Sequence, residues 1–156
     1  MHYYYNMNNY YTYIIIILPI VIGFLIGYFT KPDKWYEKLN KSILTPPGYV
    51  FGIVWFILYL LIGIAYFIAL KNKPFEYWIF PIIHLLINFS YSIIIFKFHE
   101  LLFSYLIVLL TLLTAIVLTY KFYYYDKTKI AYKLMIPYLL WLLFANFLGF
   151  YVYYYN

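Results

Sequence analysis

The polar side chains with the most chemical potential inside this chain lie on one predicted helix. His84, Asn88 and Ser92 recur at i, i+4 and i+8 within an apolar run, so they form one stripe on a helical face. In hydrocarbon such groups face inward and form hydrogen bonds. Two roles are open to the stripe: hydrogen bonds between helices, or polar contacts at the wall of a ligand cavity. No metal site is predicted, because neither a second histidine nor a carboxylate stands at usable spacing.

Two tryptophans, Trp55 and Trp141, lie in separate apolar runs and offer large flat rings. A cavity walled by indoles and aliphatic side chains suits a flat apolar macrocycle, and lysines of the first loop near its mouth would meet acidic edge groups. With aromatic residues at 28% of the chain, a tryptophan pair is also expected without any ligand. The apolar runs contain no carboxylate pair, thiol or activated nucleophile, so the sequence does not indicate a conventional enzyme.

Membrane-length helices must position these residues. Pro46 and Pro47 mark the end of a polar loop and the start of an apolar run that ends near Leu70, which is long enough to cover about 30 Å of hydrocarbon. The predicted transmembrane helices cover residues 13–29, 46–70, 77–96, 101–120 and 131–155. We therefore predict one all-α integral membrane domain over residues 1–156, a five-helix bundle. Its long first loop, residues 30–45, is interpreted as a lid or as an interfacial anchor.

Composition supports a multi-pass membrane protein. The 156-residue chain is 67% hydrophobic and 10% charged, whereas soluble domains carry about 25% charged residues. All eleven basic residues are lysine, so bidentate phosphate contacts by arginine are unavailable and nucleic acid is not a predicted partner. The net charge of +6 comes mostly from lysines that border the apolar runs, where they attract anionic lipid headgroups. We expect a microbial cell membrane.

Small residues recur on one face of the first predicted helix. Pro19, Gly23 and Gly27 are each four residues apart, the spacing that lets two membrane helices approach closely. This face predicts either packing inside the bundle or a seam between two copies of the chain.

Three segments, in order from Trp35 to the C-terminus, resemble the signature regions of the TspO/MBR family. They are WYEKLNKS with TPPGYVFGIVWFILYLLIGIA, then HLLINFSYS, then LMIPYLLWLLFANFLGFYVYYYN. This family comprises the tryptophan-rich sensory proteins and the related translocator proteins. The resemblance implies a five-helix bundle, usually a homodimer. It also implies a pocket under the first loop that binds tetrapyrroles such as protoporphyrin IX or haem, with no obligatory cofactor.

The resemblance also implies which residues contact the ligand. The expected ligand-binding residues are Trp35, Pro46, Pro47, Tyr49, Trp55, Tyr59, His84, Asn88, Trp141, Ala145 and Leu148. Two of them depart from the family pattern, since tryptophan is frequent at Tyr49 and glutamine is common at His84. An imidazole at that second position suits a porphyrin carboxylate or a haem iron, while a packed, hydrogen-bonded histidine is the ordinary alternative.

Three functions follow from the resemblance. The chain is expected to act as a sensor, scavenger or regulator that binds porphyrins under tetrapyrrole or oxidative stress. One alternative is a transporter of porphyrin, lipid or sterol. The other is light- and oxygen-dependent degradation of protoporphyrin IX, for which Trp55 and Trp141 would be the oxidised, catalytic groups.

Overall fold

The computed structural model describes the backbone of residues 9–156 and the side chains from Tyr13 onward, and its regular structure over that range is entirely helical. The six helices are α1 (Asn9–Phe29), α2 (Lys34–Lys38), α3 (Gly48–Leu70), α4 (Glu76–Phe96), α5 (Leu101–Tyr125) and α6 (Ala131–Tyr154). Residues 1–8, which the single-domain prediction includes, lie outside the described residues.

Within residues 9–156, four helices are long and apolar enough to cross a membrane: α3, α4, α5 and α6. The shortest of them, α4, has 21 residues and extends over about 30 Å, the thickness of a hydrocarbon core. The apolar part of α1, Tyr13–Phe29, is shorter. The prediction of an all-helical integral membrane protein is therefore confirmed.

The five long helices pack side by side in a closed ring. In order, α1 contacts α3, α3 contacts α6, α6 contacts α5, α5 contacts α4, and α4 returns to α1. The interior is filled by buried side chains that include Ile62, Tyr66, Leu118, Phe122 and Leu142. Because lipid is as apolar as these side chains, close packing and interhelical hydrogen bonds hold the ring together.

Glycines allow the close approach of α1 and α3. A Cβ atom on Gly63 would lie 2.9 Å from the Cα of Ile16, and one on Gly23 would lie 2.7 Å from Cδ2 of Tyr59. A Cβ on Gly27 would meet none of the described atoms within 4 Å. The small-residue face of α1 therefore packs inside the bundle at Gly23, and the seam between two copies stays a prediction.

Three helix boundaries differ from the predicted ones by more than one residue, and the first is the start of α1, at Asn9, four residues before its predicted position. α5 continues to Tyr125, five residues past its predicted end, because KFYYY contains no proline or glycine that would stop a helix. α3 begins at Gly48, since Pro47 is its N-cap in an extended conformation (ψ 149°). The prolines therefore precede the helix and do not form its first turn.

The link between α5 and α6 is organised by one buried carboxylate. Asp126 accepts the backbone N–H groups of Thr128, Ile130 and Ala131 at 2.8, 2.7 and 2.9 Å, together with the Thr128 hydroxyl. Burial of the carboxylate opposes its ionisation, yet the hydrogen bonds from Ala131, Thr128 and Ile130 keep the pKa of Asp126 below its ordinary value of 3.8. This arrangement turns the chain and gives the first N–H group of α6, that of Ala131, a partner.

Loop 1 is attached to the link between α4 and α5. Asp33 caps α2 by accepting the Tyr36 N–H at 3.0 Å, and its second oxygen lies 3.0 Å from Nε2 of His99. The hydrogen bond from the Tyr36 N–H lowers the pKa of Asp33. Trp35 stacks on the His99 ring with centroids 4.1 Å apart. These contacts hold α2 over one end of the bundle.

A second attachment ties loop 1 to the end of α6. The backbone N–H of Asn40 donates to Oδ1 of Asn156 at 2.9 Å, and the Asn156 amide donates back to the Asn40 carbonyl at 3.1 Å. The Asn40 amide also donates to the Tyr155 carbonyl at 3.1 Å. Loop 1 is therefore fixed on two sides of the same bundle end.

Candidate functional site

The interior of the bundle holds a hydrogen-bonded network of five side chains, which we call the polar network: Tyr59, His84, Asn88, Thr114 and Tyr138. Tyr59 donates its hydroxyl to Oδ1 of Asn88 at 2.9 Å, and the Asn88 amide donates to the Tyr138 oxygen at 3.1 Å. His84 lies between Tyr138 (Nε2 to hydroxyl, 3.0 Å) and Thr114 (Nδ1 to Oγ1, 2.8 Å). The network joins α3, α4, α5 and α6.

Donors and acceptors can be paired throughout the polar network in one consistent arrangement. The Thr114 hydroxyl lies 2.9 Å from the Leu110 carbonyl, and a carbonyl only accepts, so Thr114 donates its proton there. We assign the proton of His84 to Nδ1, which donates to Thr114, because Tyr138 already accepts from Asn88 and its own proton then has Nε2 as acceptor. Nε2 is left as the acceptor, and it receives the Tyr138 hydroxyl proton. With this assignment each of the five side chains has partners, as buried polar groups require.

His84 is used entirely by this network. Its side chain is fully buried, and both ring nitrogens have protein partners. A ligand that contacted Nε2 would have to displace the Tyr138 hydroxyl. No group of three metal-ligating side chains occurs within the part of the chain that the structure describes.

Trp55 packs beside the polar network. Its indole stacks on Tyr59 with centroids 5.2 Å apart and meets Tyr138 edge-on at 6.2 Å. Phe89 also packs against the Tyr59 ring, and the two ring centroids are 5.4 Å apart. Trp55 is half-buried, and its ring contacts both tyrosines of the polar network.

A lateral groove of about 440 Å³ lies between α3 and α6. Its lining is apolar apart from one indole and comprises Val54, Ile57, Leu58, Pro137, Leu140, Trp141 and Phe144. The volume is within the range of small-molecule sites, about 300–1,000 Å³. Because Ile57 and Leu140 are exposed, the groove opens on the side of the bundle toward lipid.

Trp141 is the polar element of this groove. Its Nε1 is buried and has no hydrogen-bond partner among the described side chains and backbone groups. A buried indole N–H normally finds an acceptor. Phe51 and Phe144 pack against the ring with centroids 5.7 and 5.6 Å away, which fixes its orientation. The groove is therefore lined by a flat ring whose buried N–H has no partner among the described groups.

The structure divides the predicted ligand-binding residues into three groups. Trp55, Tyr59, His84 and Asn88 come together in and beside the polar network. Trp141 lines the groove, with Ala145 half-buried one turn further along α6 and Leu148 buried beyond it. The remainder lie at the loop 1 end: Trp35, Pro46, Pro47 and Tyr49.

Two of these positions do not match the expected arrangement. Tyr49 is 72% exposed, which leaves it without a close protein environment. Trp55 is not part of the groove lining, because its ring is occupied by Tyr59 and Tyr138 inside the bundle. Of the two tryptophans predicted to share one cavity wall, Trp141 lines this groove and Trp55 does not.

Sequence reasoning missed Tyr138 and Thr114. Tyr138 is fully buried at the centre of the polar network, and Thr114 contacts Nδ1 of His84. A signal was present, since a tyrosine within a membrane helix needs a hydrogen-bond partner for its hydroxyl. Ser92, which completes the predicted stripe, is half-buried and contributes none of the network bonds described above.

These features define an all-helical, multi-pass membrane protein with an aromatic groove and a polar core. The model of the TspO/MBR family matches residues 15–155, nearly the whole chain. The chain belongs to the TspO/MBR family.

Similar proteins occur in archaea and bacteria. The tryptophan-rich protein TspO of Archaeoglobus fulgidus is 34% identical over 149 residues, which cover 90% of this chain and 94% of the relative. The tryptophan-rich protein TspO of Bacillus cereus is 30% identical over 122 residues, with 76% and 78% covered. The tryptophan-rich sensory protein of Cereibacter sphaeroides is 29% identical over 125 residues, with 80% and 78% covered.

Proposed function

We propose that this protein binds a flat, largely apolar tetrapyrrole in the groove between α3 and α6 and serves as a sensor or scavenger of membrane-dissolved porphyrin. The single observation that carries the proposal is the buried, unpartnered Nε1 of Trp141 within an apolar groove. An unsatisfied buried donor is costly, about 1–3 kcal/mol, and a ligand acceptor would remove that cost.

The shape of the groove supports a planar ligand that arrives from the bilayer. Its walls are aliphatic or aromatic, and its open side is flanked by Ile57 and Leu140, which face lipid. Val54 lies six residues into α3, about 9 Å along the helix from loop 1. Acidic edge groups of a macrocycle in the groove would then reach toward the loop, where Lys38 and Lys41 stand.

The proposal includes five membrane spans and a lid. α1 has 21 residues and closes the ring of long helices, and its exposed apolar side chains suit lipid contact. Loop 1 covers one bundle end through its contacts with His99 and Asn156. In this arrangement loop 1 restricts access from the water side, and the ligand enters from the membrane. The proposal also includes a homodimer, for which the resemblance to the TspO/MBR family is the basis.

The second candidate is light-driven porphyrin degradation. It is favoured by the position of an indole, Trp141, in the groove wall, where a bound macrocycle would touch an oxidisable ring. Such a reaction would consume oxygen and tryptophan side chains, and it needs light. Binding and degradation are therefore separable by working in the dark.

The test is titration of the purified protein with protoporphyrin IX in the dark. Quenching of tryptophan fluorescence measures binding at each step of the titration. Trp141→Phe keeps an aromatic wall and removes the donor, so we expect binding to weaken roughly 2- to 10-fold, the equivalent of one neutral hydrogen bond. Val54→Phe fills the groove and should weaken binding more strongly. Trp78→Phe, a half-buried tryptophan on α4 outside the groove lining, is the matched control. Unchanged binding in both groove variants would refute this site.

A further inference from the structure

The polar network contains a hydrogen-bonded tyrosine and histidine pair that ligand binding does not use. Tyr138 donates to Nε2 of His84 over 3.0 Å, and both side chains are fully buried. Trp55 lies 6.2 Å from the Tyr138 ring, in an edge-on contact. The Trp55 indole thus contacts the Tyr138 phenol, which in turn is hydrogen-bonded to the His84 imidazole.

We propose that Tyr138 and His84 form a redox-active pair that returns an electron to oxidised Trp55. The inference rests on the proposed function only for its natural oxidant, an excited aromatic sensitiser such as a porphyrin, which takes one electron from the indole and is reduced. The step that follows involves this chain alone. The Tyr138 phenol gives one electron to the Trp55 radical cation, and its hydroxyl proton moves to Nε2 of His84. The products are neutral Trp55, a neutral tyrosyl radical and an imidazolium.

The hydrogen-bond directions of the polar network make this proton transfer possible. In the tautomer that satisfies every member of the network, Nε2 of His84 carries the lone pair that faces the Tyr138 hydroxyl. A general base must stand within hydrogen-bond reach of the proton that it takes, and 3.0 Å satisfies this condition. After the transfer, His84 still donates through Nδ1 to Thr114, so the imidazolium keeps a partner at each nitrogen.

Tyr59 provides a natural internal control. Its ring is closer to Trp55, with centroids 5.2 Å apart and the planes nearly parallel. Its hydroxyl, however, donates to the side-chain amide oxygen of Asn88, which is not a base. Oxidation of Tyr59 would leave a strongly acidic phenol radical cation with no group to take its proton. Electron transfer to Trp55 requires a nearby phenol, which favours Tyr59. It also requires a base that takes the phenol proton, which favours Tyr138. Comparing the two tyrosines therefore shows which requirement decides the electron donor.

The consequence is protection of the indole during repeated exposure to light. An indole radical that persists reacts with oxygen and is lost irreversibly. An electron from Tyr138 restores Trp55 before this reaction takes place. The pair therefore acts through Trp55 and does not itself have to contact a ligand.

The test uses the full-length protein in detergent without porphyrin, with Trp35, Trp78 and Trp141 replaced by Phe so that Trp55 is the remaining indole. A laser pulse at a wavelength that tyrosine does not absorb ionises Trp55, and a scavenger captures the ejected electron. Transient absorption then follows the tryptophanyl and tyrosyl radicals. We expect the tryptophanyl signal to decay as a tyrosyl signal grows, more slowly in D2O than in H2O.

Three further substitutions decide the assignment. Tyr138→Phe should abolish the growth of the tyrosyl signal and prolong the tryptophanyl radical, whereas a tyrosyl signal should still grow in Tyr59→Phe. His84→Gln retains a hydrogen-bond acceptor for Tyr138 but not a base, and should have the effect of Tyr138→Phe. Should one of these two variants fail to fold, as judged by circular dichroism, the other carries the test.

The opposite outcomes overturn the inference. If the tyrosyl signal survives Tyr138→Phe, or is lost in Tyr59→Phe, the electron does not come from Tyr138. If His84→Gln behaves as the parent protein does, the histidine is not the proton acceptor and the pair is refuted. Because no porphyrin is present, a failure of tetrapyrrole binding would not alter these results. Conversely, a failure of the relay would leave the groove proposal intact.

Discussion

Gly23 and Gly27 lie one turn apart on α1, but only Gly23 faces the candidate site. A Cβ atom at Gly23 would lie 2.7 Å from Cδ2 and 3.1 Å from Cζ of Tyr59, both well inside normal carbon contact. The ring cannot simply move aside, because Trp55 stacks on it and Asn88 accepts its hydroxyl. We therefore predict that Gly23→Ala disturbs the Tyr59 end of the polar network.

The expected destabilisation follows from three terms. Overpacking of a filled interior costs about 1–3 kcal/mol. Loss of the Tyr59 to Asn88 hydrogen bond adds about 0.5–1.5 kcal/mol. Replacing glycine by alanine within a helix returns up to about 1 kcal/mol. The net loss for Gly23→Ala is then about 0.5–4.5 kcal/mol, whereas Gly27→Ala, which meets none of the described atoms within 4 Å, should gain up to about 1 kcal/mol.

Equilibrium unfolding in mixed micelles, followed by circular dichroism, measures both free energies. Tryptophan fluorescence in the same samples reports the environment of Trp55, which should change in Gly23→Ala and not in Gly27→Ala. Tyr59→Leu and the double variant complete a thermodynamic cycle, and removal of the ring should relieve most of the clash. Equal stability of the two alanine variants, or effects of Gly23→Ala and Tyr59→Leu that add within about 0.5 kcal/mol, would contradict the reasoning.

Two other predictions concern the bundle ends. The depressed pKa of Asp126 stabilises the folded protein above pH 3.8, and this contribution disappears as the pH falls through the lower folded-state pKa. Asp126→Asn should therefore lower Tm at pH 7 and make Tm fall less steeply in acid. Equal acid sensitivity in both proteins would refute this. Asn40→Ala should increase hydrogen exchange in loop 1 with little change in Tm, and Lys38→Ala, an exposed neighbour, should do neither. Unchanged exchange in Asn40→Ala would show that these bonds do not hold the loop.

The membrane helices were predictable because hydrocarbon length and hydrophobicity dominate their formation. The end of α5 was not, since KFYYY is aromatic enough for a membrane interface and polar enough for a loop. What decides it is the Asp126 cap, whose partners Ile130 and Ala131 lie four and five residues later. A helix end that is set by such a compact hydrogen-bonded turn has only a weak sequence pattern.

The candidate site was predictable in part, for a different physical reason. Periodicity places His84 and Asn88 on one inward face, and the structure brings both into the polar network. It gives no information on which helix supplies their partners, because helix order in a bundle depends on packing of whole surfaces. Tyr138 and Thr114 were therefore missed, although each lies within a run that was identified as membrane-spanning.

The location of the groove shows why a sequence pattern cannot define a cavity. Trp55 and Trp141 each lie in an apolar run, and both were expected to line a ligand cavity. A side chain can line a cavity only if no neighbouring side chain fills the space beside it. Tyr59 and Tyr138 occupy the space beside Trp55, whereas the space beside Trp141 stays open between Val54 and Leu140. Volume is a property of all the surrounding side chains together.

The two possible roles of His84 compete for one pair of electrons. Coordination of an iron or contact with a ligand would use the lone pair on Nε2 that now accepts the Tyr138 proton. Such a contact would leave the Tyr138 hydroxyl without an acceptor inside hydrocarbon, a loss of about 1–3 kcal/mol, and would break one of the two bonds that join α4 to α6 in the polar network. A histidine that is fully buried and satisfied at both nitrogens is thus better placed to take a proton from Tyr138 than to bind a ligand, and the unpartnered donor of Trp141 is left as the polar group of the groove.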